Sequence, residues 1–473
     1  MISSLRGDRI SRLADAIFTG ALLYLATGLN PAWWALWLAP IPLLLAVFAA
    51  GAREALVLTL VAALIGNAAL APYLVEVMTP VPATIVTVLR TLLWLLIVGR
   101  TRAAVLQSQA WWTVLVYPVL WSAVDLLIAR FSADGTAASL AYSQMDALPV
   151  IQAASWGGTP AVVFLPSLFA SLVAVAWHRR RTIRWPALGY VVPTAALVAI
   201  LAWGAARAMP PDGEGGPKVA MAAIDGDFIA QPDALRGGYE TLVDKAAADG
   251  AAIVVLPEEI AALDPEAAEK ARIALAGFAK RDGIYLLAGI RVLAGDHLEN
   301  RAWLFAPSGE RIVDYAKRHL VTGLEGRIRP GDSDASVEIG AQRIGVAICK
   351  DMDFPALGRG YAALGVDAML VPAWDFDADG WLHGRMAVLR GVEGGFAILR
   401  SARGGLMTVS DATGRVIAEK PSTGGAGALL LSTMPPSPRR DTLYARIGDA
   451  FGWACVLAAA AILVVPYLRR RRQ

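Results

Sequence analysis

The sequence predicts a multi-pass α-helical membrane bundle joined to a separate α/β domain, and three observations lead there. The 473 residues are 56% hydrophobic and 18% charged, with a mean hydropathy of +0.51, too apolar for an ordinary soluble enzyme. Apolar stretches of roughly 20 residues, enough to cross about 30 Å of hydrocarbon, crowd the first 210 positions and recur once at the end. Between them, short β-rich and helical patterns alternate over more than 200 residues, enough for a domain with its own core.

Seven candidate spans precede residue 210, near 13–29, 31–50, 55–77, 81–99, 111–129, 159–177 and 186–206, and an eighth lies near 447–468. The first does not read as a cleavable signal, because further spans follow it at once. Arg6, Arg9 and Arg12 precede the first span, Arg53 follows the second, and Arg100 and Arg102 follow the fourth. "HRRRTIR" (His178 to Arg184) follows the sixth and "RRRR" the eighth. If the chain alternates, all five clusters share one side, which the positive-inside rule makes cytoplasmic and which leaves 210–445 outside. Arg90 and Asp125 fall within spans four and five, where a charge is costly, and are expected to pair. Trp33, Trp34 and Trp37 read as an interfacial anchor.

The net charge of +3 comes from short basic clusters and not from a stripe, which argues against a nucleic-acid partner. Two cysteines make no disulfide framework, and four scattered histidines have no metal-ligand spacing, so neither metal nor cofactor is expected. Cys455, in the last apolar stretch, reads as a small lipid-facing or packed residue.

"PPDGEGGPK" (Pro210 to Lys218) marks a linker, giving a membrane domain at 1–209, a linker at 210–217, an α/β domain at 218–436 and a final span with a basic tail at 437–473. Three polar groups stand at or just past predicted strand ends, where α/β enzymes build sites. "IVVLPEE" delivers Glu258, "VDYAKRHL" delivers Lys317, and "RIGVAICKD" delivers Cys349. Singly, each has an ordinary reading: a loop glutamate, a solvated lysine, a core cysteine. Together they suit acyl transfer, in which a thiolate attacks a carbonyl, a carboxylate takes the thiol proton, and an ammonium stabilises the oxyanion.

The ordered motifs "LPE", "YxKxHL" and "GVAIC" resemble the carbon-nitrogen hydrolase (nitrilase) superfamily over roughly residues 218 to 435. "LLAGI" (Leu286 to Ile290), "NRAWLFAPSGE" (Asn300 to Glu310), "GWLHGRMAVLRGVEGG" (Gly380 to Gly395) and "DATGRV" (Asp411 to Val416) extend it. The resemblance implies an αββα sandwich with Glu258, Lys317 and Cys349 as the catalytic set. Seven spans, an external domain and a last span resemble, more narrowly, the bacterial apolipoprotein N-acyltransferases, as does "AYSQMDALPVIQAASWGG" (Ala141 to Gly158). "KRHLVTGLE" is similar to that family's segment carrying a second functional glutamate, here Glu325. The resemblance implies a phospholipid acyl donor, a diacylglyceryl lipoprotein amine as acceptor and a thioester intermediate; a monomer in the bacterial inner membrane, with its catalytic domain outside, is expected.

Lys350 and Asp351 stand where that family carries an aromatic residue and a glutamate, and are candidate substrate contacts. So are Trp374 and Asp375, after the "LVPA" strand, and His383 in "WLHGR". The competing reading is a membrane-anchored amidase or nitrilase, in which water resolves the thioester. A non-catalytic scaffold would be expected to have lost a member of the Glu, Lys, Cys set, and none is lost.

Overall fold

The structure, a computed structural model, describes residues 2–180, 188–210, 215–226, 235, 237–422, 427–435 and 439–470. The basic run at 181–184, linker positions 211–214 and the last two arginines of the tail lie outside the described residues. The chain divides into two units, Met1–Arg130 with Ser139–Arg207 and Asp449–Gln473, and Phe131–Ala138 with Ala208–Gly448.

In the first unit, among the described residues, five helices are long and apolar enough to cross a membrane: Asp8–Thr27, Pro80–Gln107, Trp111–Phe131, Ala154–Arg179 and Gly189–Arg207. The expected second span is two shorter helices, Trp33–Leu38 and Pro40–Ala49, because Pro40 lacks the N–H that would continue the first and suits the start of the next. The third is a pair, Ala52–Asn67 and Ala71–Met78, bent by 60° with Pro72 opening the second piece. The eighth is the 21-residue helix Ala450–Arg470. Arg90 and Asp125 each take a polar neighbour other than the one expected. Arg90 Nε donates to Asn67 Oδ1 at 3.2 Å, and Asp125 Oδ1 accepts from Ser139 Oγ at 2.6 Å.

The second unit is a sandwich of two sheets between helices. Among the described residues the seven-stranded sheet runs in the order Ala428–Thr433, Lys218–Ala223, Ile253–Val255, Tyr285–Ala294, His297–Phe305, Arg311–Ala316, with Ala261–Leu263 added beside Tyr285–Ala294. The six-stranded sheet runs Val416–Pro421, Leu406–Ser410, Ala397–Arg403, Ala368–Trp374, Gln342–Val346, Ala335–Ile339. Side-chain alternation builds three apolar layers. Val219, Met221 and Ala223 join Ile344, Val346, Leu370 and Leu399 between the sheets. Ala220 and Ala222 face outward with Leu275 and Phe278, and Met369 and Ile398 pack with Leu357 and Ala387 on the far side. The helix Pro265–Asp282 shows how locally the sequence is written: Asp264 Oδ1 accepts from Ala267 N at 2.8 Å, proline follows, and Gly283 ends it at φ 66°.

Three strands at the centre of each sheet run parallel: Lys218–Ala223, Ile253–Val255 and Tyr285–Ala294 in one, and Gln342–Val346, Ala368–Trp374 and Ala397–Arg403 in the other. Their carboxyl ends deliver Glu258, Cys349 and Asp375, the usual address of an α/β site.

Candidate active site

The strand Gln342–Val346 carries the chain through Ala347 and Ile348 into a 3₁₀ turn, Cys349–Asp353. Cys349 opens that turn at φ 43°, a left-handed conformation that costs a non-glycine residue about 1–3 kcal/mol and survives only where its surroundings enforce it. Asp351 supplies much of that enforcement. Its buried carboxylate accepts from Ile348 N (3.1 Å), Arg318 N (3.1 Å), His319 N (2.8 Å) and Tyr315 Oη (2.7 Å), and lies 3.0 Å from His319 Nδ1. With its oxygens so occupied, Asp351 ties the Cys349 turn to the segment that follows Lys317.

Lys317, at the end of the strand Arg311–Ala316, is buried, and its ammonium lies between two carboxylates. Nζ donates to Glu258 Oε1 at 2.7 Å and to Glu325 Oε1 and Oε2 at 3.0 and 2.9 Å. Asn300 Nδ2 donates to the same two residues, at 2.7 Å to Glu258 and 3.2 Å to Glu325. Val321 N caps Glu325 at 2.6 Å. Burial works to discharge Lys317, but the Glu258 and Glu325 carboxylates outweigh it and hold the ammonium well above its ordinary range.

Cys349 Sγ is half-buried and lies 3.5 Å from the Trp374 carbonyl. Burial and the Glu258 charge push its thiol well above the usual value, against the pull of Lys317 and Arg400. The resting group is therefore a thiol. Glu258 and Lys317 are the charges it feels most strongly.

The remaining candidates separate into two roles. Trp374 is 37% exposed beside Cys349, with the Arg403 guanidinium 3.9 Å from its ring centre, which leaves its ring open to a ligand. Asp375 is buried in a two-pronged pair with Arg400, one contact at 2.9 Å. His383 lies 3.4 Å from Asp375 and 3.5 Å from Asp379. Burial opposes its charge, but Asp375, Asp379 and Asp353 raise its pKa to about 9. Ligand atoms of Asp375, Asp379 and His383 lie within 4.8 Å of one another, and the Arg400 guanidinium already occupies both oxygens of Asp375, making this an ionic cluster at the strand end. Lys350 is also buried, its ammonium paired with Asp134.

Sequence reasoning missed Asn300, Glu259, Arg400 and Asp134 as site neighbours. Arg400 has a signal, a charge within the apolar strand "AILRSAR". Glu259 is buried at φ 48° and pairs with Arg291 at 2.7 Å; burial and Glu258 raise its pKa to about 7.

Residues 19–172 match the apolipoprotein N-acyltransferase N-terminal domain, and residues 218–429 match the carbon-nitrogen hydrolase family. The chain thus pairs an apolipoprotein N-acyltransferase-like apolar half with a carbon-nitrogen hydrolase-like domain. An apolipoprotein N-acyltransferase from Geobacter metallireducens is 27% identical, over 96% of this chain and 95% of its own. The nitrilase of Pyrococcus abyssi is 34% identical over 31% of this chain and 60% of its own. An ω-amidase from Danio rerio is 35% identical over 29% and 56%. Among solved structures, an amidase from Nesterenkonia sp. superposes with a TM-score of 0.44 at 21% identity, over 51% of this chain and 97% of its own.

Proposed function

We propose that this N-acyltransferase-like protein moves a fatty acyl group from a phospholipid, through a Cys349 thioester, to the N-terminal amine of a diacylglyceryl lipoprotein. The observation that carries this reading is the likeness to an apolipoprotein N-acyltransferase along both the apolar half and the sandwich. The site's geometry is consistent with the following chemistry. Glu258 takes the thiol proton as Sγ attacks the ester carbonyl, and the Lys317 ammonium faces the oxyanion that forms. As the tetrahedral intermediate collapses, the lysophospholipid oxygen leaves with the proton held by Glu258, and the acyl group stays on sulfur. The acceptor amine then attacks the thioester, gives its proton to Glu258, and releases the thiol. Glu325 and Asn300 hold Lys317 and Glu258 in register throughout.

The placement we infer is a bacterial inner membrane with the sandwich on the extracytoplasmic face. Alternation of the spans puts the basic clusters on one side. It also puts residues 131–138 and 208–448 together on the other, which accords with their belonging to one unit.

Incubating the detergent-purified protein with phospholipid and measuring intact mass tests the reading. A hydroxylamine-labile acyl increment, absent in Cys349→Ala and discharged by a lipopeptide amine, is expected. Discharge by water alone, at the same rate with and without the amine, would favour the amidase reading instead.

A further inference from the structure

The turn that begins at Cys349 is held on one side by Asp351 and its partners. Its other side meets a short stretch more than 200 positions earlier in the chain, Phe131–Ala138, which belongs to the catalytic unit although the residues flanking it do not. Three consecutive residues of that stretch mate with the turn, each by a different interaction. The Asp134 carboxylate pairs with the ammonium of Lys350, the residue directly after the nucleophile. Thr136 donates twice to the Asp353 carbonyl, through its backbone N at 3.1 Å and its hydroxyl at 2.8 Å. Gly135, between them, sits at φ 53° and passes so close that an added Cβ would lie 2.5 Å from the Asp353 oxygen.

We propose that Asp134 and Thr136 are positioning residues that clamp the Cys349 turn in its attacking conformation, an assignment that rests on Cys349 being the nucleophile. A left-handed cysteine persists only if both ends of its turn are constrained. Asp351 constrains the strand side, and the Asp134–Thr136 stretch constrains the exit at Asp353. The clamp also explains Lys350. An ammonium whose side chain is only 9% exposed needs a counter-charge, and Asp134, 35% exposed, supplies it. Lys350 is thereby committed to holding the turn and does not offer its charge to a lipid head group.

The test reads the first half-reaction on a small ester, p-nitrophenyl butyrate, so that it does not depend on the phospholipid donor. In the full-length protein in detergent, ester cleavage gives a p-nitrophenolate burst as the butyryl group passes to Cys349. Asp134→Asn and Thr136→Val should each slow the burst about tenfold, the usual worth of one buried polar contact, with KM changed less than about twofold. Thr136→Ser, which keeps the hydroxyl, should restore the rate. Adding Lys350→Met to Asp134→Asn should slow it little further, because the two changes remove one shared interaction. A merely structural contact would lower the thermal midpoint and leave the burst rate of the folded protein untouched. Wild-type bursts in folded Asp134→Asn and Thr136→Val would overturn the clamp. If Asp134→Asn does not fold, the Thr136→Val and Thr136→Ser pair decides between clamp and structural contact by the same readout. A normal burst on the small ester with no acylation from phospholipid would instead sink the donor assignment and leave the clamp standing.

Discussion

Lys317 Nζ lies 2.7 Å from Glu258 Oε1, although the two are 59 positions apart, and the same ammonium touches both oxygens of Glu325. One positive charge thus serves two carboxylates in a buried setting, and Asn300 ties both acids together from the other side. Every member of this knot has a consequence when removed.

Glu325→Gln keeps the shape but leaves Lys317 a single carboxylate, so on the proposed mechanism Lys317 is held less firmly over the forming oxyanion. The thioester-forming step is expected to slow about a hundredfold, with a smaller change in KM. Single-turnover mass spectrometry with phospholipid measures this. A rise in KM alone would make Glu325 a binding residue and not a support for Lys317.

Asn300→Ala and Asn300→Asp separate hydrogen bonding from charge. The alanine removes a donor shared by two acids and should slow acylation about tenfold. The aspartate adds a third negative charge to one ammonium and should cost more in both rate and thermal midpoint. Equal losses in the two variants would mean that packing, not polarity, matters at this position.

Asp351→Asn replaces an acceptor-only carboxylate with a group that must present a donor to donors. A loss of about 2–4 kcal/mol is expected, visible as a lowered denaturant midpoint, together with a slower thioester step. An unchanged midpoint with a raised KM for lipid would return Asp351 to the substrate contacts.

The His383 pKa, about 9 in the folded chain against an ordinary 6.5, makes the ionic cluster a source of pH-dependent stability. Because the folded value is the higher one, the stabilisation is complete below about pH 6.5 and fades as pH rises through about 9, for a total on the order of 1–3 kcal/mol. Urea unfolding at pH 6 and pH 9.5 should show this difference in the wild type and a smaller one in His383→Gln. A difference equal in both would place the pH sensitivity elsewhere.

The raised Cys349 thiol predicts slow alkylation by iodoacetamide at neutral pH, accelerating well into the alkaline range. Lys317→Met removes a charge that favours the thiolate and should push that acceleration to still higher pH. Peptide-level mass spectrometry of the alkylated cysteine follows both.

Residue type and order determined much of this protein. Apolar length marked the helices from Pro80 to Gln107 and from Ala154 to Arg179, because a helix long enough to cross hydrocarbon leaves its composition in one continuous stretch. Alternation marked strands such as Lys218–Ala223, and strand ends marked Glu258, Lys317 and Cys349, because pleating and chain reversal are local properties. Only the tertiary structure decided who serves whom. Asn300 bridges two acids 42 and 25 positions away, Asp351 binds a turn that lies 33 positions back, and Lys350 finds its counter-charge 216 positions earlier. Nothing in the residues themselves distinguishes Asp351, sealed among four donors and an imidazole, from an exposed acid that meets a substrate. Burial and partner geometry set the role of a polar side chain, and both arise from packing between segments far apart in sequence.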